Sequence, residues 1–438
     1  MICIYIILEN ANRELNSRIL LILQLFKVLK NKRINVIIGE KNELRNKIIN
    51  YPKGIIIEKG VTKGSISRVK KWKKAGHDIF MFDEESITYR DDKQYFATKF
   101  DKDLEKYTDC FFLTGERQKK TILRKRKNTK YLLTGNLRFE LLKLEYRKFY
   151  EKIVDIYKKK HGDFILITSR FANLNYNDTK KVKQPSSKYG DYLKDSKIIF
   201  QEFKKIPYEF REKCNNKIII RPHPSEDVTT WNKITKKIDN CEIIYEGDIV
   251  PWLLASKLVI FNRCTTGIEG YLLNKKTFSL DPIVEKDPLK KLYRSISKNF
   301  KTAKNLVNEI AENKRFLLNY KNLANDDLLR QYIFNTKKKE SHKIIANFIK
   351  KRINKIKINK NKKFSLVTPV DLLKLFLGNL LSIKKGSRKY MKQKIGKFNY
   401  FSIKKSINEF KQIDVFNNVK DLKIKQIGKR IFLLSNLG

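Results

Sequence analysis

Short runs of apolar residues alternate with longer amphipathic stretches along much of the chain. Ile2 to Leu8 is apolar throughout, Ser17 to Asn31 repeats apolar residues at helical spacing, and Ile34–Gly39, Gly54–Glu58, Ile79–Phe82 and Cys110–Thr114 are again short apolar runs. Continuous apolar runs of this kind read as strands buried on both faces, and the spaced pattern reads as a helix lying over them. Strand, helix, strand repetition implies a mostly parallel sheet with helices on both faces.

After a charged helical stretch from Leu141 to Lys160, a second series begins with Phe164–Thr168 and continues with Lys217–Ile220, Glu242–Tyr245, Leu258–Phe261 and Thr277–Leu280. The pattern therefore predicts an α/β chain of two Rossmann-like lobes whose parallel sheets face a central cleft, since open parallel sheets place ligands beyond their strand ends. The expected boundaries are 1–145 for an N-terminal lobe on the acceptor side and 146–340 for a C-terminal lobe on the donor side. A basic, mainly helical tail over 341–438 completes the expectation. Asp178 to Asp195 is polar, carries Pro185, Ser186 and Ser187, and reads as an inserted loop. In the tail, Leu366 to Ile383 is apolar but interrupted by Pro369, Asp371 and Lys374, too broken to span a bilayer. Such a stretch suits either peripheral contact with anionic phospholipid or a solvated helical appendage.

Composition narrows the class. A chain of 438 residues, 41% hydrophobic and 11% aromatic, has the material for more than one core. The five cysteines stand singly, without zinc spacing, so a reducing compartment and no structural metal are expected. The opening MICIYIILEN lacks a basic n-region and a cleavage site, which predicts a cytoplasmic protein. The formal net charge of +51 would suit an anionic partner, yet no helix-turn-helix, zinc finger or RNA-binding aromatic signature accompanies it. Nucleic acid is accordingly not expected as a partner.

Two motifs in the second lobe carry the chemistry. In KIIIRPHPSED, a strand ending at Ile220 runs into Arg221, Pro222, His223, Pro224 and Ser225. The prolines stiffen the turn, Arg221 can fork onto phosphate oxygens, and His223 can donate to them. In KLVIFNRCTTGIEGYLLNK, the strand Leu258–Phe261 leads through Asn262 and Arg263 to Thr265, Thr266 and Gly267 and then a helix. Helix-terminal amides and threonine hydroxyls form an anion cradle, and they also form a helix cap. Glu269 in that helix can accept hydrogen bonds from a ribose or sugar hydroxyl. Trp252 reads as core.

In the first lobe, IFMFDEES ends a strand with Asp83, Glu84 and Glu85. Crowded carboxylates repel, so at least one of the three is expected to have a raised pKa suited to proton transfer or to steadying a cationic sugar transition state, although an acidic surface loop would look the same. Glu9, Arg13, Glu14 and Arg18 around the first strand end either bind an acceptor or brace the site, and Asn136 and Arg138 in LLTGNLRFELL either contact ligand or form a linker. No D-x-D arrangement suggests a metal, so no obligatory ion or cofactor is expected.

Taken in order, ILENANREL, FDEES, LLTGNLRFELL, IIIRPHPSED and VPWLLASKLVIFNRCTTGIEG resemble the motifs of the bacterial surface carbohydrate biosynthesis proteins over about the first 285 residues. That family is similar to GT-B glycosyltransferases, including capsule transferases that use a CMP-activated acidic sugar such as Kdo. The resemblance implies that His223 and Pro224, with Ser225 beside them, sit against the nucleotide phosphate together with Thr265, Thr266 and Gly267, and that Asp83 or Glu84 is the catalytic acid. Two positions depart from it: Ser86 stands where glycine is expected and Leu137 where proline is expected.

The implied function is a glycosyltransferase of surface polysaccharide or capsule assembly. It would take a nucleotide sugar, CMP-linked as in those capsule transferases or of another nucleotide, and a glycan or lipid-linked acceptor, in the cytoplasm or peripherally at the inner membrane face. Rivals are a CDP-polyol phosphotransferase or nucleotide-sugar epimerase of the same fold, and a non-enzymatic protein that binds membrane or polyanion through its tail.

Overall fold

The computed structural model describes residues 2–60, 62–89, 91–125, 131–172, 174–175, 190–245, 247–283, 288–312, 326–336, 338–354, 395–396 and 398–436. Two compact units divide them. One holds the described residues up to Phe149 together with those from Asp327 to 354 and from 395 to 436; the other holds those from Tyr150 to Asp326. The apolar stretch Leu366–Ile383 and the turn residues Pro185, Ser186 and Ser187 lie outside the described residues.

The first unit contains an eight-stranded sheet. Its parallel strands are β1 (Ile2–Leu8), β2 (Ile34–Glu40), β3 (Gly54–Lys59), β4 (Asp78–Phe82), β5 (Cys110–Leu113) and β6 (Tyr131–Leu133). Their order is β2-β1-β3-β4-β5-β6, so the connection reverses direction between β1 and β3. All seven residues of β1 are buried, as expected of a central strand covered on both faces. Tyr5, Trp72, Met81 and Phe111 are among the residues that fill the core against it.

The second unit has six parallel strands: β7 (Phe164–Thr168), β8 (Lys217–Arg221), β9 (Cys241–Ile243), β10 (Leu258–Phe261), β11 (Lys276–Leu280) and β12 (Lys298–Phe300). Read from β9, the order β9-β8-β7-β10-β11-β12 is the 3-2-1-4-5-6 sequence of the doubly wound dinucleotide-binding fold. The expected strands are all present within a residue or two at each end, and β6 and β12 join them. The inserted loop ends earlier than expected, because the chain from Gly190 to Lys213 is helical.

The largest difference lies at the C-terminus. The stretch expected as a mainly helical tail supplies helices Ser341–Ile353 and Tyr400–Lys411 to the first unit, both packed on the helix Ala11–Val28. It then forms a hairpin, β13 (Leu422–Gly428) and β14 (Ile431–Asn436), and β14 pairs antiparallel with β2. Ile431, Phe432 and Leu434 are buried there, so the hairpin closes an edge that β2 would otherwise leave open. Lysines at Lys423 and Lys425 obscured the strand pattern, since they occupy the exposed face of what is now the edge strand.

Candidate functional site

In the first unit the strand ends carry a buried ionic network. At the β1–β3 reversal, the Lys59 ammonium lies 2.5 Å from Glu14 and 3.2 Å from Glu9, and Lys41 pairs with Glu9 at 2.8 Å. Burial alone would lower the Lys59 pKa, but the carboxylates of Glu14, Glu84 and Glu9 outweigh it and hold it above the usual lysine value. The expected residues Glu9, Arg13 and Glu14 do gather here. Arg13 reaches Glu85 at 2.9 Å on the partly exposed rim.

The acidic triplet after β4 splits into three environments. Glu84 turns inward onto the Arg18 guanidinium, and both side chains are almost wholly buried. Burial works against the Glu84 charge, yet Arg18, Lys59 and Arg13 prevail and keep its pKa below the usual carboxylate range. Asp83 is different. Burial pushes its carboxyl up to about 6, opposed by Lys99 and by the Glu85 amide that donates to Oδ1 at 2.9 Å. Its Oδ2 is buried with no hydrogen-bond partner among the described residues. Two adjacent acids thus have pKa values pushed apart because their surroundings differ, which is how acid and base roles are separated elsewhere.

Arg18 also stacks over Phe82, with Cζ 4.4 Å from the ring centroid, and leaves Nε and Nη1 without hydrogen-bond partners among the described residues. They border a cavity of about 10 Å³ lined also by Thr114, Thr134, Asn136 and Leu137, room for a single water. Asn136 caps the short helix Leu137–Glu140 by accepting from the Arg138 amide at 3.0 Å, and its side-chain amide lies 3.4 Å from Glu84. Arg138 is buried, with its guanidinium 5.0 Å from the Phe139 ring centroid. Gly135 has φ +80, and a Cβ there would meet the Asn335 side chain at 2.1 Å, so this turn requires glycine twice over.

The two departures from the family pattern have local explanations. Ser86 is buried and its hydroxyl pairs with Thr114 at 2.6 Å, in a backbone without the positive φ that would call for glycine. Leu137 begins its helix at the position where proline is ordinarily tolerated, and it is buried instead.

In the second unit the connection reverses between β7 and β10, and the expected phosphate-binding turns follow β8 and β10 on either side of β7. Two strand spacings separate them, about 10 Å across the sheet. The turn after β8 is built on Glu226, which accepts from the Ser169 hydroxyl at 2.9 Å, the Phe171 amide at 2.8 Å, the His223 amide at 3.1 Å and the Trp231 indole at 3.1 Å. Burial pushes the Glu226 carboxyl above its ordinary pKa despite those bonds. The Tyr245 hydroxyl donates into the carbonyls of His223, Pro224 and Glu226 from the other side. His223 is therefore exposed on a rigid frame, with Nδ1 accepting from the Ser225 amide at 3.2 Å, which places the ring proton on Nε2.

Arg221 donates to the Gly247 carbonyl at 3.0 Å and lies 5.6 Å from the Trp252 ring centroid. Arg221 and Glu269 both act electrostatically on Asp248, a residue the motifs did not single out. Burial pushes the Asp248 carboxyl up to about 6, with Glu269 adding to the rise and Arg221 opposing it. Trp252 stacks on Tyr157 with centroids 3.9 Å apart, consistent with a core role.

After β10, Arg263 takes φ +40, uncommon for a residue with a side chain and a conformation associated with functional turns. Its guanidinium is locked to Asp281 by bonds of 2.8 and 2.7 Å, and its carbonyl accepts from Arg170 at 2.5 Å. The helix Thr265–Leu272 starts at once, with Thr265 and Thr266 partly exposed at its first turn. Gly267 is buried: a Cβ there would strike the Phe261 ring at 2.2 Å, so close helix–strand packing accounts for it independently of any ligand. Arg170, Lys59, Asp248 and Glu226 were missed in the sequence. A polar residue directly after an apolar strand run would have pointed to the first two.

Among the described residues no group of three or more histidine, cysteine, aspartate or glutamate side chains could hold a metal ion, and no described helix is long and apolar enough to cross a membrane. No protein-family model matches the chain, and no curated protein matches it. Solved structures do. The Methanocaldococcus jannaschii UDP-GlcNAc 2-epimerase in complex with UDP-GlcNAc and UDP is 14% identical, over 80% of this chain and 100% of that one, with a TM-score of 0.52. A Listeria monocytogenes structure assigned as a UDP-N-acetylglucosamine 2-epimerase is 13% identical, over 82% and 98%, with a TM-score of 0.51. Identity this low is a likeness of fold, and it defines the class: the chain has the GT-B-like fold of two α/β units, each built on a parallel sheet.

Proposed function

We propose that the protein is an enzyme acting on a nucleotide-activated sugar, and that it transfers the sugar to a glycan or lipid-linked acceptor in surface-polysaccharide assembly. The observation that carries the reading is the switch point of the second unit, where a strained Arg263 turn and the start of the Thr265 helix stand beyond the ends of β7 and β10. Helix-terminal amides and the hydroxyls of Thr265 and Thr266 bind phosphate oxygens, Arg221, His223 and Ser225 on the Pro224-stiffened turn meet the charge that develops as the nucleotide leaves, and Glu269 accepts from the ribose.

In the transfer step the acceptor hydroxyl oxygen bonds to the anomeric carbon as the bond from that carbon to the phosphate oxygen breaks. The hydroxyl proton passes to Asp83, whose raised pKa suits a base near neutrality. Glu84, held ionised by Arg18, supplies a fixed negative charge. Glu9, Arg13, Glu14, Asn136 and Arg138 are the acceptor-side residues. The donor nucleotide is CMP or a nucleoside diphosphate, no cofactor enters the reaction, and the enzyme works at the cytoplasmic face of the membrane.

A second reading is favoured by one observation, that two of the solved structures sharing the fold are UDP-GlcNAc 2-epimerases. There the same base would take a proton from a sugar carbon. A thermal-shift series with CMP, CDP, UDP and GDP tests both readings first, because a ligand that prefers the native state raises the melting temperature. If none raises it, both readings fail. With the nucleotide fixed, NMR of the corresponding sugar nucleotide without acceptor separates them: a change of ring stereochemistry means epimerase, whereas hydrolysis at most means transferase.

A further inference from the structure

The two edges of the first sheet carry charge in opposite ways. At the strand ends, acids and bases neutralise one another. At the edge where the strands begin, Lys30 and Arg33 lie between the first helix and β2, Lys53 precedes β3, and Lys74 ends the helix before β4. All four are exposed.

The helix Ser341–Ile353 brings two more cations to this edge. Arg352, near its end, binds Asp78 at the start of β4 through bonds of 2.8 and 3.0 Å and reaches Asp109 at 3.4 Å, and Lys32 lies 2.5 Å from Asn354. Lys350 and Lys351, both exposed, lie in the last turn of that helix, which these bonds hold at the same edge as Lys30 and Arg33. The acids of this edge are already taken: Asp109 is held by Lys73 at 2.6 Å as well as by Arg352, and Asp78 by Arg352. Asp421, just before β13, is likewise held by Lys411, and among the described residues Lys30, Arg33, Lys350 and Lys351 form no ion pair. Lysine at a helix end complements the helix dipole, but that accounts for one helix at a time and not for cations from two helices and two loops on one edge.

We propose that this strand-start edge of the first unit is a docking surface for anionic phospholipid. Phospholipid is favoured over a folded protein because exposed cations dominate the patch, with Ile49 ahead of Lys53 as an exposed apolar residue beside them, and over nucleic acid because no base-reading element accompanies it. The site lies on the edge opposite the carboxylates, so a docked molecule keeps its strand ends away from the bilayer surface. The inference takes the membrane from the functional reading above and assigns it to a different part of the molecule; it stands or falls without any nucleotide binding.

The test is co-sedimentation of the full chain with vesicles of phosphatidylcholine alone and with about one-third phosphatidylglycerol. Each cation near an anionic surface contributes close to a tenfold factor at most. The variant K30E/R33E/K350E/K351E is expected to lose about a hundredfold or more in partitioning to the anionic vesicles. A control of equal charge on the second unit, K152E/K159E/K233E/K237E, is expected to stay within about threefold, and circular dichroism checks that both remain folded. The proposal is overturned if the wild type ignores phosphatidylglycerol, if the control loses as much as the edge variant, or if the edge variant still binds as the wild type does, in which case residues 355–394 carry the contact. It is also overturned if a double-stranded oligonucleotide displaces the protein from vesicles at lower concentration than added phosphatidylglycerol vesicles do.

Discussion

The carboxyl ends of the first sheet and those of the second solve the same problem, presenting polar groups beyond a parallel sheet, with opposite economies of charge. In the first unit Arg18, Glu14 and Glu84 are buried and, with the partly buried Lys59, answer one another. In the second, His223 is exposed, Arg221 is partly so, and the turns that hold them are pinned by backbone bonds to Glu226 and by Tyr245. Buried charges make a site whose geometry and stability are inseparable, whereas a backbone-framed turn leaves its side chains replaceable.

Removing an arginine from each sheet makes that contrast measurable. Arg18→Met strands Glu84 as an uncompensated buried anion, and we expect a loss of about 3–5 kcal/mol in urea unfolding, partly restored in Arg18→Met/Glu84→Gln. Arg221→Met lies at the other end of the scale. It should cost about 1 kcal/mol, because its hydrogen bond to the Gly247 carbonyl and its contact with the Trp252 ring are made in a partly exposed setting, while abolishing the thermal shift given by the nucleotide. Equal losses of stability in the two variants would erase the distinction.

Between these extremes lies a test of pH. Asp83 keeps its proton in the folded state up to about 6, while the unfolded chain releases it near the ordinary aspartate value. Stability from this group is therefore present at low pH and falls as pH rises through that window, by up to about 3 kcal/mol. Asp248, also pushed up to about 6 by burial, acts with the same sign. Glu84 has the opposite sign, its contribution lost as pH drops below the ordinary glutamate range. Asp83→Asn should flatten the decline between pH 4 and 6 and raise the melting temperature at pH 7, while removing turnover; an unchanged slope would show that Asp83 is not the proton-holding group. Next in size is Gly267→Ala, expected to cost about 1–3 kcal/mol through collision with Phe261, a packing effect visible in denaturation without any ligand.

Particular residues show what was legible before the fold was known. The turn after β8 and the turn after β10 were found because prolines, glycine and hydroxyls follow an apolar run within a few positions, and the local pattern needs no partner. The same logic located Asp83 and Glu84 but left open which of them is the unusual acid. That depends on Arg18, 66 positions away, which faces Glu84 and not Asp83. Glu226 was passed over because its hydrogen-bond partners are spread from Ser169 to Trp231. The C-terminal hairpin was hidden by lysines that belong to an exposed edge.

The amino-acid sequence by itself determined the repeating strands and helices, the stiff turns at their ends and the parallel character of both sheets, because backbone propensity and apolar periodicity act over a handful of neighbouring residues. Tertiary structure alone decided which carboxylate meets which cation, that residues from Ser341 onward complete the first unit, and where charge is left unanswered, because burial and Coulomb interactions are set by groups far apart in the chain and brought together only when it folds.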